Sequence, residues 1–414
     1  MSSIFSSFLK GAKSGQTVGL AEIQEAKQRI GKNLPVTPLT ESPALSELLG
    51  KQVFLKWENK LPTGSFKERG ALNFLLTLDP PKAQKGVCAA SAGNHALALS
   101  LHAKLLGINC CIVMPKQAPL IKVECTKRNG AEVILHGSNF DEAREYAGSL
   151  SKQRGLTLVS PYDHPAIIAG QGTCGLEILD QLDEFDCVVS GVGGGGLISG
   201  LSVAIKSAKP KVVIVGVQSE WATGAHTHVK RQSLFPISTI ADGIAVKQIG
   251  QLPRVLIKDK VDLLVAVSEQ EIAKAIVTFL ELERSVVEGA GAAGLAALMA
   301  GHIPATCERI VLVVSGSNID MNVLARLIER DMGERGRLLK LIASVPDKPG
   351  SLHLTAGVIA SAGANILETL HDRTYSHIPG NVDISFLLEV RNAAHAFEVI
   401  QAMHAAGIAV KEED

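Results

Sequence analysis

Lys67 stands in the stretch TGSFKERGA, residues 63 to 71, behind a small hydroxyl residue and an aromatic ring and ahead of a charged pair. Two kinds of lysine fit there. One is a solvated helix position, because lysine is rarely buried and the following ALNFLL continues an amphipathic pattern. The other is an amine kept in a cleft to make a Schiff base with an aldehyde cofactor. That second lysine needs companions elsewhere in the chain. DCVVSGVGGGGLISG offers one, since Gly193, Gly194, Gly195 and Gly196 follow an apolar strand and precede a helix that opens near Leu197. Residues without Cβ atoms let consecutive N–H groups converge on one compact phosphate at a helix N-terminus. Gly191, Gly193 and Gly196 also satisfy G-x-G-x-x-G, with Glu220 ending the next strand, so a dinucleotide loop competes, as does a plain tight turn. SAGNHA, with Ser91, Ala92, Gly93, Asn94 and His95, marks another strand-to-helix turn. Its serine, asparagine and free helix N–H groups suit a carboxylate or phenolate oxygen, or simple capping. A third turn, VLVVSGSNID, carries Ser315 at the end of an apolar run. Taken together, these turns and Lys67 describe one cleft for a phosphate, an oxyanion-bearing ring and an amine.

Such a cleft has to be built by the elements that carry its turns. From about residue 50, short β-branched runs (KQVFLKWE, GVCAAS, INCCIVMP, AEVILHG, LTLVS, DCVVSGV, KVVIVGVQ, LLVAVS, RIVLVVSG) alternate with helical patterns. Continuous apolar strands separated by helices imply open parallel α/β sheets covered on both faces, with ligands outside the strands' carboxyl ends. The pattern changes at DMGERGR, residues 331 to 337, a charged run suited to a linker. Beyond it the order is strand, helix, strand, strand, helix, strand, which is ferredoxin-like α+β. The expected organisation is a two-lobed catalytic domain over 1–330, a linker over 331–337 and a second domain over 338–414.

Composition narrows the class. Of the 414 residues, 46% are hydrophobic, and Lys plus Arg balance Asp plus Glu at 41 each, so no charge footprint points to nucleic acid or an anionic membrane. The seven cysteines form no C-x-x-C pair and several lie in apolar runs, as expected of small buried hydrophobes in a reducing, cytoplasmic setting. MSSIFSSFLKGAKSG at the start is too interrupted for a signal segment and reads as a loose end. EGAGAAGLAALMAG is too short to span a bilayer and reads as a buried helix. His226 and His228 have no nearby carboxylate or thiolate to complete a metal set, so a loop is expected and no metal. Trp57 and Trp221 read as packing residues.

The stretches S-F-K-x-R-G-A, S-A-G-N-H, G-G-G-G-L and S-G-x-N, in this order, resemble the pyridoxal-phosphate enzymes of the tryptophan synthase β fold (fold type II), specifically the serine/threonine dehydratases. HPAIIAGQGT, ADGIAV and VVEGAGAAGLAAL are similar to the same family, and the likeness runs over most of residues 20 to 330. The tail, VPDKPGSL with GANILETLHDR, resembles the ACT-type amino-acid sensing domain of some threonine dehydratases. The resemblance implies pyridoxal 5'-phosphate as cofactor. It implies that Lys67 holds the aldehyde and then takes the substrate's α-proton, that Phe66 stacks on the ring, and that Asn94 bonds the ring's 3'-oxygen. It assigns the phosphate to Gly193 through Gly196 with the Leu197 N–H, and the substrate carboxylate to Ser91, Ala92, Gly93, Asn94 and His95. Ser315, a neutral partner for the ring nitrogen, leaves a shallower electron sink than an acid would and favours β-elimination over transamination. Gln218 stands where related racemases carry a metal-binding glutamate, which argues against a divalent site. The activity implied is threonine ammonia-lyase, with serine as a second substrate. A serine racemase, hydroxyaspartate dehydratase or β-replacement synthase on the same fold, a non-catalytic amino-acid sensor and a nicotinamide dehydrogenase are the competing readings. For the tail the resemblance implies an effector site at Pro349, Gly350, Ser351, Leu352, Asn365 and Ile366, and a homo-oligomer, dimer or tetramer.

Overall fold

The computed structural model describes residues 18–221, 239–372 and 380–412. The leading segment read as a loose end and the His226/His228 stretch lie outside them. Two compact units are formed, Met1–Ile319 and Asp320–Asp414.

The first unit holds two sheets. One has six strands in the order Leu39–Glu41, Gln52–Lys56, Arg309–Val313, Cys187–Gly191, Val213–Ser219, Leu263–Val267. Its first pair is antiparallel and the rest are parallel. The other is parallel throughout, in the order Glu132–Leu135, Cys110–Met114, Val87–Ala90, Thr157–Leu158. Every residue of Cys187–Gly191 and of Cys110–Met114 is buried. Burial on both faces is why these runs are continuously apolar rather than alternating. The edge strand Leu39–Glu41 had no such signal, being three residues beside a proline, paired to Phe54–Lys56 and fastened by the Trp57 Nε1 bond to Thr40 Oγ1 at 2.8 Å.

Helix Pro165–Gln181 crosses between the helices Lys67–Leu76 and Gly196–Ala208. The A-G-Q-G-T run lies at these crossings. A Cβ on Gly200 would fall 2.4 Å from Gly172 N and Ile168 O, and one on Gly170 would fall 2.6 Å from Arg69 O, so the helices touch backbone to backbone. The small-residue helix Gly289–Met299 is buried along nearly its whole length. No helix among the described residues is long and apolar enough to cross a membrane.

The second unit is ferredoxin-like α+β, an antiparallel sheet in the order Asn365–Asp372, Asn381–Glu389, Leu338–Pro346, Ala409–Glu412 with helices Ser351–Ser361 and Ala393–Ala405. Leu339, Leu341, Ala343 and Val345 alternate into its core with Val382, Ile384, Phe386 and Leu388. The expected linker needs correction. Residues 331–334 are the last turn of helix Met321–Glu334, which Asp320 caps by accepting from Asn322 N at 2.8 Å. The charged run favours that helix through Arg330–Glu334 and Asp331–Arg335 pairs at 2.8 and 2.7 Å. The units therefore divide before this helix.

Candidate active site

The turn before Lys67 is fastened to the turn that carries Ser315. Phe66 N donates to Ser315 O at 3.1 Å, Ser317 N donates to Gly64 O at 3.0 Å, and Ser65 and Gly316 form a β-bridge. Lys67 then opens the helix Lys67–Leu76, with Phe66 as its cap. Its amine is no solvated surface group. Nζ donates to Pro161 O at 3.0 Å and lies 5.0 Å from the centre of the Phe66 ring. Burial strips hydration from the ammonium and lowers its pKa to about 8, against the opposing pull of the Glu288 carboxylate.

Pro161 leads directly to the glycine loop. The Tyr162 ring occupies the space a side chain on Gly194 would need, since a Cβ there would sit 2.2 Å from Tyr162 Cγ and Cδ1. Gly195 has φ of 92°, a left-handed conformation that ordinary side chains rarely adopt. Asp163 accepts from Gln251 N and Leu252 N at 2.8 and 3.0 Å, and Gly194 O accepts from Gly250 N at 3.1 Å, so a second segment braces the loop. The N–H groups of Gly193, Gly194, Gly195, Gly196 and Leu197 have no hydrogen-bond partner among the described residues. They form a row of free donors at the start of helix Gly196–Ala208. Glu220, the acid that a dinucleotide loop would use, is exposed.

In the Ser91–His95 turn, capping leaves polar atoms unused. Ser91 Oγ accepts from Gly93 N at 3.2 Å and Ala96 N at 3.3 Å, which fills its lone pairs and leaves the hydroxyl proton to donate elsewhere. Ala92 is half-buried beside it. Asn94 starts the helix Asn94–Leu105, and its Nδ2 donates to both Glu288 oxygens, at 2.8 and 3.0 Å. Asn94 Oδ1 and His95 Nε2 are buried without a partner. Burial, and then the Lys67 charge, push the His95 pKa down to about 3, although its ring is also hydrogen-bonded to the Val159 backbone. That imidazole is neutral at ordinary pH.

Glu288 is the residue that sequence reasoning missed. It caps the helix Gly289–Met299, is 7% exposed, and also accepts from Asn318 N at 2.9 Å. Gly316 approaches so closely that a Cβ there would lie 2.4 Å from Glu288 Oε1. Burial raises its pKa. The available signal was a lone acid inside SVVEGAGAAGLAAL, a run otherwise too apolar to hold one without partners. Ser315 is buried at the end of Arg309–Val313, Gln218 is buried with neither amide atom partnered, and Trp57 packs edge-on against Phe279. Trp221 is half-buried. Of the cysteines, Cys125 is partly exposed and the other six are buried, all as free thiols.

The tail residues separate into two places. Pro349, Gly350, Ser351 and Leu352 line a cavity of about 300 Å³ with Pro346, His371 and Val382. Asn365 and Ile366 lie at the far end of the sheet, where Asn365 opposes Glu389, whereas Pro346 opposes Asn381. Within one chain they do not meet, because helix Ser351–Ser361 carries the backbone back before the next strand begins.

The family model for pyridoxal-phosphate dependent enzymes matches residues 31–316. The chain is 42% identical over 398 residues to an L-threonine ammonia-lyase of Thermotoga maritima, covering 95% of this chain and 99% of that one. It is 43% identical over 327 residues to a catabolic L-threonine dehydratase of Staphylococcus aureus, covering 77% of this chain and 94% of the relative. Maize serine racemase superposes with a TM-score of 0.70 at 32% identity, over 77% of this chain and 99% of that structure.

Proposed function

Because the chain belongs to the pyridoxal-phosphate dependent enzyme family, we propose that it is a threonine ammonia-lyase, forming 2-oxobutanoate and ammonia from L-threonine and pyruvate from L-serine. The observation that carries this reading is the Lys67 amine, desolvated to a pKa of about 8 and held on the Pro161 carbonyl beside the glycine loop.

The residues present fit the cofactor. A row of unpartnered N–H groups suits a phosphate, and the buried Lys67 amine on Pro161 O stands beside them for an aldehyde, with the Asn94 Nδ2 donor nearby on Glu288. In this reading Gly193, Gly194, Gly195, Gly196 and Leu197 hold the phosphate, Phe66 covers one face of the ring, Asn94 orients its oxygen substituent, Ser315 faces its nitrogen and Lys67 holds the aldehyde carbon. When bound, pyridoxal phosphate supplies a carbon that captures amines and a ring that draws electron density from the substrate's α-carbon.

The protein's own groups supply the rest. Near pH 8 a large share of Lys67 is neutral, so it accepts the α-proton and, once charged, is drawn to Glu288. The helix that opens at Asn94 attracts the substrate carboxylate, to which Ser91 donates its remaining proton. His95, neutral, adds no charge there. A hydroxyl at position 315 rather than an acid keeps the ring's pull moderate, which suits expulsion of a β-hydroxyl. A racemase needs a proton donor on the opposite face, where the turn offers only Ala92.

The second unit, in this reading, is an ACT-like sensor whose cavity at Pro349 to Leu352 takes an amino-acid effector, completed by Asn365 and Ile366 of another subunit in a dimer or tetramer. The free thiols suit a cytoplasmic enzyme. The test is 2-oxo acid release from a panel of hydroxy amino acids, with and without isoleucine and valine. Release from threonine is expected; none from any hydroxy amino acid overturns the reading.

A further inference from the structure

Lys67 is followed by two charged residues that are themselves buried, Glu68 at 0% and Arg69 at 1% exposure. At about 100° per residue, three consecutive side chains leave a helical turn in three directions. Lys67 reaches Pro161 O. Glu68 accepts from Thr63 N and lies 2.8 Å from His102 Nε2, which is 3% exposed. Arg69 forks onto Glu58 at 2.6 and 2.7 Å and onto Glu177 at 2.6 and 2.7 Å.

His102 lies on the helix that begins at Asn94, seven residues beyond His95 and therefore on nearly the same face, about 10 Å along the axis. The Glu68–His102 pair is thus a buried rung between the helix that starts with Lys67 and the helix that starts with the Asn94–His95 turn. Arg69 ties the first of these helices to Glu58, just after the strand Gln52–Lys56, and to Glu177 on Pro165–Gln181. Buried ion pairs are weak stabilisers, and apolar residues of similar volume often replace them without loss. What such groups do supply is one fixed direction for each bond.

We propose that Glu68, His102 and Arg69 are positioning residues, the Glu68–His102 rung setting the Lys67 amine against the Asn94–His95 turn and the Arg69 fork fixing the rotation of the Lys67 helix. The prediction for turnover rests on the ammonia-lyase reading; the prediction for cofactor capture does not. The experiment compares the wild type with Glu68→Met/His102→Leu and with the conservative Glu68→Gln. It measures thermal unfolding, kcat and KM for threonine, and the rate at which borohydride traps added pyridoxal phosphate on Lys67, mapped by peptide mass. The double variant is expected to unfold cooperatively, to lose about tenfold or more in trapping rate and kcat, and to keep KM within about twofold, as misplacement of a reacting group requires. Glu68→Gln, whose Oε1 still accepts from Thr63 N while its amide NH2 donates to a His102 Nε2 that carries its proton on Nδ1, is expected to restore most of the trapping rate. A folded double variant with wild-type trapping overturns the proposal. If that variant does not fold, His102→Asn decides, since its shorter amide cannot reach Glu68: slow trapping in a folded protein supports the rung, and unchanged trapping overturns it. Trapping needs no substrate, so even a protein inactive on threonine tests the rung.

Discussion

The two units bury their polar groups differently. In Met1–Ile319, Lys56, Glu58, Glu68, Arg69, Asn94, His95, His102 and Glu288 are all buried, and Lys67 is half-buried among them. In Asp320–Asp414 the sheet alternates buried and half-exposed positions, and its core is nearly all apolar. An antiparallel sheet with one covered face needs no interior charges. A pair of parallel sheets brings many strand ends and helix starts together, and there desolvation turns ordinary side chains into reagents. In the proposed reading, that contrast puts the covalent chemistry in the first unit.

Removing the reagent is the strongest attack on that division. Lys67→Ala is expected to lower 2-oxobutanoate formation by about 10³-fold or more while circular dichroism and thermal unfolding remain near wild type. Near-normal turnover would move the chemistry elsewhere.

Desolvation itself predicts a pH effect. A lysine lowered from 10.5 to about 8 loses its proton in the folded apoprotein while the unfolded chain keeps it. Between those values the unfolded state binds more protons, so stability rises with pH and the full gain is present above the unfolded pKa. Relative to Lys67→Met, the apoprotein is expected to gain up to about 3 kcal/mol from pH 8 to 10.5. Denaturant titrations across that window check this, and a flat difference would mean that the amine is solvated.

Gly194→Ala probes the cradle. With the Tyr162 ring 2.2 Å from the new Cβ, either the loop or the ring must move. A stability loss of about 1–3 kcal/mol is expected, together with weaker retention of pyridoxal phosphate in an absorbance titration. The matching change in the second unit, Gly357→Ala, meets no atom within 4 Å and sits inside a helix, so a gain of about 0.5–1 kcal/mol is expected instead.

A chain ending at Ile319 sharpens the contrast further. It is expected to keep turning over threonine and to lose any response to isoleucine or valine, a coupling of about 1–3 kcal/mol where present. Kinetics that ignore both amino acids in the full chain would leave the second unit as an association module.

The smallest expected effect is Ala92→Ser. A hydroxyl beside the Asn94–His95 turn supplies the proton donor the wild type lacks, so D-serine formed from L-serine should rise from a trace to a minor product on chiral chromatography. Abundant D-serine from the wild type would favour the racemase reading.

Much of the architecture was legible from residue order alone. Continuous apolar runs in the first unit and alternating ones in the second specify parallel and antiparallel sheets, because burial on two faces or one dictates the period. The four glycines before Leu197 specify a bare-backbone loop whatever surrounds it. Turn chemistry and hydrophobic period are short-range properties, and neighbours in sequence suffice to express them. Which groups become desolvated, and which meet, is long-range. Lys67 reaches Pro161 across 94 positions and Asn94 reaches Glu288 across 194, so nothing near either residue announces its partner. The same limit explains Asn365 and Ile366, which follow Leu352 closely in sequence yet sit at the other end of their sheet. The direction of a returning helix, rather than proximity in the chain, decided where they lie. The kinds of sheet and the turns were therefore written into the order of residues. That Lys67 loses its water, that Glu288 holds Asn94 and that Tyr162 fills the space under Gly194 were settled by the folded packing, because burial and pairing are properties of the packed whole.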